Sequence, residues 1–355
     1  MESQRTAILD TAAPAKIIRV AAFTGGKSVP SRRFRLQQYL PHMERLGVHV
    51  TEFNAMFGCY PPRKKMLWPF WFPATVADRI PGVIKSHQYD VTFLQREMVS
   101  TLLTLERFTH RPRVLDVDDA VWLNRGVEKK FGALVQMCAG VICGNNFIAE
   151  NVRQWNSELI VLPTGVDTVR YCPGNAKSDP KPVIGWSGLG SGLKYLLGIE
   201  DALASVLNKH KRAVLRVVSD VRPSFRQIDS SRVEYIPWSV ENEVTTIQEM
   251  TVGIMPVDDS LWSRGKCSYK MLLYMACGVP VVVSPVGMNN EVLALGKVGF
   301  GPRSEQEWID AISVLLDNPK NAARMGSTGR KTVEDHFSID VLSPRLAAYV
   351  RRFAC

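Results

Sequence analysis

Three cations within seven residues are the side chains of this sequence best placed to bind an anion. Arg264, Lys266 and Lys270 precede a helical stretch and an apolar run that predicts a buried strand. Guanidinium and ammonium groups gathered at the carboxyl end of a strand suit a diphosphate, to which they donate charge-assisted hydrogen bonds. A solvated start of a helix is the alternative interpretation of the same residues.

A glycine-rich turn is the second candidate for phosphate binding. Residues 183–196 read as an apolar strand, a turn and a helix that carries Lys194. Glycines let backbone N–H groups approach a phosphate, the helix N-terminus adds a favourable dipole, and Lys194 adds a charge. The spacing departs from the dinucleotide-binding G-x-G-x-x-G pattern, and a tight connection is the alternative. The glycines are Gly185, Gly188, Gly190 and Gly192.

The elements that must position these residues are short β-branched runs alternating with helical stretches. Nearly continuous apolar strands separated by helices predict parallel sheets covered on both faces. The 355 residues, 46% of them hydrophobic, fit two domains of about 150–180 residues each. The predicted strands are residues 16–22, 48–53, 90–94, 113–117, 140–143 and 159–162, then 182–186, 213–218, 233–236, 251–255 and 279–283.

The fold class that follows is α/β, with two doubly wound domains facing a cleft. We place the first domain at residues 1–175 and the second at 176–337, because residues 172–182 are rich in Pro, Gly and polar side chains. A last helix, about 338–355, is expected to pack back on the first domain. In the second half, Trp308, Ile312 and Leu315 repeat at helical spacing before an Asn-Pro stop.

The segment 258–291 resembles the nucleotide-binding half of the family 4 glycosyltransferases. It follows the form K-x-x-x-K-x-L-x-Y-M-A-x-G-x-P-V-V-x-S-x-V-G-x-N-x-E. Residues 31–35 look like the family's acceptor-side loop, residues 117–120 like its interdomain loop, and residues 162–167 like the turn that closes its first domain. The matching residues are Lys266, Lys270, Leu272, Tyr274, Met275, Ala276, Gly278, Pro280, Ser284, Gly287, Asn289 and Glu291.

The resemblance implies a GT-B fold and a hexosyltransferase that retains anomeric configuration. It implies a nucleotide-sugar donor of UDP or GDP type, with neither metal nor cofactor, and a glycan or lipid-linked hydroxyl acceptor. Nucleic acid is not expected as a partner. The donor-phosphate residues would be Gly188, Lys194, Arg264 and Lys266, and those for the donor sugar or nucleotide Lys270, Gly287, Asn289 and Glu291. The acceptor-side residues would be Gly25, Gly26, Arg33 and Arg35, with Asp118 and Asp119 as the catalytic polar groups.

Two departures from the family pattern keep an alternative open. The first departure is at Gly265 and Leu273, which align with the two glutamates of the family's E-x7-E motif. In the family these glutamates interact with the donor sugar and the nucleotide ribose. The second is at Leu189, which aligns with the family's phosphate-binding Arg. A non-catalytic GT-B protein that binds a nucleotide or glycan is therefore the alternative. Asp116 and Asp118 also form a D-x-D, the metal motif of the other large glycosyltransferase fold, which the two-domain pattern disfavours.

Charge adds an anionic membrane surface as a candidate partner. Residues 1–65 carry eleven cations and four acids, an excess of seven within a net charge of +10. Residues 63–73 join three cations to an aromatic cluster that suits a membrane interface, although three nearby prolines argue against a long amphipathic helix. Aromatics buried against their own domain are the alternative. The seven cysteines are an odd number and include no C-x-x-C pair, and the N-terminus lacks the apolar stretch of a signal peptide. Both observations predict a cytoplasmic protein, which would be peripheral at the inner face of the membrane if it docks there.

Overall fold

The computed structural model describes residues 16–27, 29–62, 64–174 and 181–354. Within them, the first domain is a six-stranded parallel sheet in the order β2-β1-β3-β4-β5-β6 with helices on both faces. Its strands are β1 (Ile18–Thr24), β2 (Val48–Asn54), β3 (Val91–Gln95), β4 (Arg113–Val117), β5 (Gly140–Cys143) and β6 (Leu159–Val161). Its helices are α1 (Pro30–Arg35), α2 (Leu40–Arg45), α3 (Trp68–Ser86), α4 (Glu128–Gln136) and α5 (Asn146–Val152).

The second domain repeats the plan with a different strand order. Its described strands form a six-stranded parallel sheet in the order β12-β11-β10-β7-β8-β9. The strands are β7 (Val183–Ser187), β8 (Val214–Ser219), β9 (Val233–Pro237), β10 (Val252–Met255), β11 (Val281–Val283) and β12 (Gly299–Phe300). The helices are α6 (Leu193–Leu197), α7 (Glu200–Lys209), α8 (Glu243–Gln248), α9 (Leu261–Arg264), α10 (Tyr269–Ala276), α11 (Met288–Leu293), α12 (Glu305–Asp317) and α13 (Pro319–His336).

The predicted fold class of two doubly wound α/β domains is confirmed. Each sheet reverses its strand order once, between β1 and β3 in the first domain and between β7 and β10 in the second. Open α/β sheets bind ligands outside the carboxyl ends of the strands at such a point. The fold therefore offers two ligand positions, one in each domain.

Every strand predicted from the sequence is present within one or two residues, and among the strands of the described residues only the two-residue β12 was missed. The helix predicted around Trp308 is α12, and Asn318 caps the next helix by accepting from the amide of Asn321. One expectation was wrong, because α3 is a helix of 19 residues despite its prolines. Pro69 lies in the first turn, where no intrahelical donor is lost, whereas Pro73 and Pro81 lie inside the helix.

The last helix, α14 (Ile339–Arg351), packs on the first domain. Its Leu342 and Leu346 lie in one buried cluster with Ile18 and Val20 of β1. Tyr349 accepts a hydrogen bond from the amide of Val141 at 3.0 Å. The chain thus returns to the first domain after completing the second.

Candidate functional site

Lys270 occupies the ligand position of the second domain. It lies in the first turn of α10, and its ammonium is 4.4 Å from the centroid of the Trp186 ring. A Cβ added to Gly188 would collide with this Nζ, and one added to Gly192 would lie 3.5 Å from it. The ammonium therefore rests against the glycine-rich turn that follows β7.

Lys270 is a half-buried and poorly solvated cation. Desolvation, with a smaller contribution from the positive charge of Lys266, lowers the pKa of Lys270 to about 7. Among the described residues, no carboxylate forms an ion pair with either ammonium. Two neighbouring cations without a carboxylate partner favour an anion, since an anion would restore the charged form of Lys270. The amides of Gly188, Gly190 and Gly192 donate within the protein, to the carbonyls of Val218 and Leu189 and to Oδ1 of Asp220, so the side-chain cations carry this inference.

The carboxylates that face these cations come from the first domain. Burial and then the charge of Asp118 raise the pKa of Asp119, Arg96 and Lys266 oppose that rise, and the resulting pKa is about 6. The Oδ1 atom of Asp118 is buried and has no hydrogen-bond partner among the described residues. The loop after β4 thus brings carboxylates within electrostatic reach of the cations of the second domain.

Arg96 connects this loop to the ligand position of the first domain. It directly follows β3 with a left-handed φ of 57°. Its Nε is 3.6 Å from Asp118 Oδ1, its Nη1 is 3.7 Å from Asp119 Oδ2, and it donates a hydrogen bond to the hydroxyl of Tyr60. Sequence analysis missed Arg96, although it is a charged residue just after a predicted strand, as Asp118 is.

A cleft with about 250 Å³ of empty space, open to solvent, lies between the ends of β1 and β3. Gln95 is 4% exposed, and both polar atoms of its amide have no hydrogen-bond partner among the described residues. A buried amide without partners indicates a place where a polar ligand atom or water binds. The lining residues are Gly25, Val29, Ser31, Cys59, Tyr60, Gln95, Arg96, Glu97 and Ser100.

Gly25 and Gly26 shape the wall of this cleft. A Cβ on Gly25 would lie 2.7 Å from the sulfur of Cys59, and one on Gly26 would lie 2.9 Å from the carbonyl oxygen of Ala55. Gly26 also has a φ of 117°, which side-chain-bearing residues avoid. The loop after β1 therefore needs both glycines for its own packing, and their contact with an acceptor remains a prediction.

Arg33 and Arg35 are bound to the protein itself. Arg35 is buried, forms two-pronged hydrogen bonds with Asp116, and donates to the carbonyl of Leu162 at 2.8 Å. Arg33 forms an ion pair of 2.6 Å with Glu243 of the second domain. Asp116 is thus occupied by Arg35, which leaves the D-x-D without one of its two carboxylates. The acceptor-side role of the two arginines remains a prediction.

Arg264 and Lys194, the other two predicted phosphate-binding cations, are exposed at the surface of the second domain. Arg264 is exposed, and its Nε is 2.7 Å from Asp259 Oδ1. A Cβ added to Gly287 would lie 2.7 Å from the carbonyl oxygen of Arg264. The absence of a side chain at Gly287, just before α11, therefore lets the backbone of Arg264 pack against it. Lys194 is exposed on α6, with its ammonium 4.7 Å from the ring centroid of Tyr195. The donor-phosphate role of both cations remains a prediction.

Asn289 and Glu291 lie on α11, beside the domain interface. Asn289 is buried and donates to the carbonyl of Ser284 at 3.0 Å, whereas its Oδ1 has no partner among the described residues. Glu291 accepts a hydrogen bond of 2.8 Å from Asn146 of the first domain. Glu291 therefore links the two domains in this structure.

The structure shows what surrounds Gly265 and Leu273, the two positions that align with the glutamates of the E-x7-E motif. A Cβ on Gly265 would lie 2.5 Å from the Cβ of Ala120, so the loop of the first domain lies where a longer side chain would begin. Leu273 is buried in the core shared by both domains. The carboxylate next in the chain to Ala120 is that of Asp119, which carries the raised pKa.

Comparison with known proteins agrees with the fold of two parallel-sheet domains described above. Residues 181–318 match the family described as "Glycosyl transferases group 1". Sucrose-phosphate synthase from Thermosynechococcus elongatus is 16% identical with a TM-score of 0.70, and 94% of this chain covers 98% of that one. The fold is GT-B. No curated protein matches the sequence.

Two further GT-B structures resemble the chain. HepE from Anabaena, solved in complex with UDP-glucose, is 15% identical with a TM-score of 0.71, and 95% of this chain covers 100% of that one. An O-GlcNAc transferase from Thermobaculum terrenum is 16% identical with a TM-score of 0.62, and 96% of this chain covers 68% of that one. At these identities the likeness is one of fold, and the matched segment 181–318 contains Gly188, Lys266 and Lys270.

Three further observations concern the predictions about membrane contact, the cysteines and the basic N-terminal region. None of the helices in the described part of the chain has the length and apolarity to cross a bilayer. The six cysteines within the described ranges are free thiols. Part of the basic excess, residues 1–15 and Arg63, lies outside the described residues.

Proposed function

We propose that the chain is a retaining glycosyltransferase that transfers a hexosyl group from a nucleoside diphosphate sugar to a hydroxyl acceptor. The observation that carries the proposal is the desolvated ammonium of Lys270 against the Gly188 turn, with Lys266 beside it. The group 1 match over the same residues and the UDP-glucose complex of HepE support a UDP-hexose as the first donor to test.

The chemistry follows from charge development on the donor. As the bond from the anomeric carbon to the diphosphate breaks, negative charge grows on the departing oxygen. Lys270 and Lys266 stabilise that charge from fixed positions, which is the largest contribution in many enzymes. The acceptor oxygen bonds to the anomeric carbon on the face that the diphosphate leaves, and its proton passes to the departing oxygen. No metal ion is needed in this scheme, because the two ammonium groups balance the diphosphate.

The cleft of the first domain is proposed to hold the acceptor. Gln95 and Arg96 line it, and Asp118 and Asp119 lie between it and Lys266. These groups suit the hydroxyls of a glycan or the glycan part of a lipid-linked intermediate. Asp119 is proposed to bind donor or acceptor hydroxyls in place of the glutamate absent at position 265.

The proposal is tested first by titration calorimetry with UDP, GDP and UDP-glucose. Replacing Lys266 or Lys270 with Ala should weaken binding of the preferred nucleotide by roughly ten- to a hundredfold, since a charge-assisted hydrogen bond contributes ~1.5–3 kcal/mol. Lys297→Ala, which changes an exposed lysine of the same domain, is the matched control. Unchanged affinity in both site variants would contradict the donor site.

Release of free nucleoside diphosphate with acceptor present separates an enzyme from a binding protein. We expect release with a glycan or lipid-linked acceptor and full activity in excess EDTA. Tight nucleotide binding without release for any acceptor would favour the non-catalytic alternative. Activity lost in EDTA and restored by Mn²⁺ would contradict the metal-free scheme.

A further inference from the structure

The helix α3 exposes a continuous apolar stripe. Met66 and Phe70 are each 77% exposed, and Ile84 is 66% exposed. The stripe repeats at intervals of three and four residues, which places all its members on one side of the helix. Its members are Met66, just before the helix, and Phe70, Pro73, Ala77, Ile80 and Ile84.

The opposite side of α3 fixes the helix to the domain. Thr75, Arg79, Gly82 and Ser86 are buried there at the same three- and four-residue spacing. The guanidinium of Arg79 donates to the carbonyls of Thr24 at 2.6 Å and Met98 at 3.2 Å. Because this face is held by the ends of the strands, the helix cannot turn its apolar stripe inward.

The charges around the stripe are positive. Lys64 and Lys65 are exposed just before α3, and Lys85 is exposed near its end. Asp78 is the only acid between residues 53 and 89, and it is engaged by the amide of Met56 at 2.8 Å. Apolar side chains bordered by lysines match the acyl boundary and the anionic headgroups of a membrane surface.

The stripe also adjoins the acceptor cleft. The indole of Trp71 on α3 donates to the carbonyl of Phe57 at 3.1 Å. Met56 and Phe57 are exposed, and Cys59 and Tyr60, which follow them in the chain, line the cleft. A surface that holds the stripe would therefore lie beside the opening of the cleft.

We propose that α3 and the segment before it dock the first domain on an anionic lipid bilayer. Met66, Phe70 and Ile84 enter the interface, and Lys64, Lys65 and Lys85 face the headgroups. This docking surface does not depend on the transfer reaction, because it is defined by exposure and charge alone. It favours a lipid-linked acceptor, whose glycan would reach the cleft from the bilayer.

Flotation with vesicles tests the docking surface. We expect the purified chain to float with vesicles containing phosphatidylglycerol and not with pure phosphatidylcholine. The variant Phe70→Ser/Ile84→Ser should lose at least about tenfold in partitioning at low and high salt, because buried apolar area is not screened. Lys64→Ser/Lys65→Ser should lose roughly thirtyfold, mainly at low salt, since a basic residue near an anionic surface contributes ~1 kcal/mol.

The matched control is Val169→Ser/Leu295→Ser, which replaces exposed apolar residues outside α3 and should float as the parent does. Circular dichroism checks that every variant is folded. Absence of flotation at low salt, or unchanged flotation of both α3 variants, would overturn the proposal. Sedimentation velocity provides an independent test. A dimer that Phe70→Ser/Ile84→Ser converts to a monomer would assign the stripe to a second copy of the chain and overturn membrane docking.

Discussion

Lys270 differs from the other cations of the second domain in that its charge is desolvated before a ligand arrives. Arg264 is neutralised by Asp259 and Lys194 is solvated, whereas Lys270 contacts an indole and a glycine turn. The free energy spent on desolvation is contributed by folding, so it need not be supplied when a diphosphate binds. A preorganised charge of this kind stabilises developing negative charge more than a solvated one does.

The affinity for a nucleotide sugar is expected to fall as pH rises through about 7. The pKa of Lys270 is about 7 in the free chain, and a bound diphosphate raises it, so binding above pH 7 requires uptake of a proton. Between pH 6.5 and 8.5 the dissociation constant for UDP-glucose should increase about tenfold, as one pKa unit corresponds to ~1.4 kcal/mol. Calorimetry at several pH values measures this slope. Lys270→Arg stays charged and should flatten it, and an equally steep slope in that variant would assign the proton elsewhere.

Gly188→Ala should weaken nucleotide binding and lower stability slightly. The added Cβ collides with the flexible end of Lys270, which can move away, and lies 2.9 Å from the buried ring of Trp186, which must shift. We expect a loss of about tenfold in affinity, comparable with removal of one charge-assisted hydrogen bond, and a melting temperature lowered by a few degrees at most. Calorimetry and thermal denaturation measure the two quantities. Undiminished affinity would mean that Lys270 does not need its position against the turn.

At the residue scale the sequence revealed which types could bind a diphosphate, but not which of them were buried. Lys266 and Lys270 were recognised by spacing, whereas their difference from Arg264 depends on packing against Trp186 and on pairing with Asp259. Arg96 was missed because its partners Asp118 and Asp119 lie more than twenty residues away in the chain. Contacts of that kind are set by sheet order, which one sequence does not specify.

At the scale of elements, the loop after β4 takes space that a glutamate at position 265 would need. Gly265→Glu, which introduces the residue of the E-x7-E pattern, is therefore expected to destabilise the chain by ~1–3 kcal/mol through overpacking against Ala120. Thermal denaturation should show a melting temperature lower by several degrees. Gly198→Glu is the control, because Gly198 is exposed and an added Cβ there lies 3.3 Å from its nearest neighbour. Equal stability of the two variants would show that the loop adapts freely.

The strands were predictable because a strand that is buried on both faces has an uninterrupted apolar sequence, as in residues 279–283. The helix α3 was not, because local preference counts each proline against a helix while tertiary contacts decide the outcome. Arg79 and Gly82, which pack this helix on Phe23 and Phe53, supply those contacts.

At the scale of the whole molecule, the domains are joined by an ion pair between the partly buried Arg33 and the buried Glu243. Removing Arg33 leaves Glu243 with the weaker pair to Arg170 at 3.8 Å, so Arg33→Met should destabilise the contact between the domains by ~1 kcal/mol. Arg33→Met/Glu243→Gln should recover part of that loss. Urea denaturation of the single and double variants gives the coupling energy, and small-angle scattering reports whether the single variant is more open. Additive single effects would mean that the pair does not couple the domains.

The return of α14 to the first domain has a mechanical consequence. The backbone of Val166 accepts from Ile339 at 3.0 Å and donates to Phe337 at 2.8 Å, so the outgoing and returning chains are tied side by side. Arg330 adds bonds to the carbonyls of Thr168 and Tyr171. Because two adjacent chain segments connect the domains here, a rotation that twisted one domain against the other would strain these hydrogen bonds. We therefore expect the paired segments to resist twisting more than a single linker would.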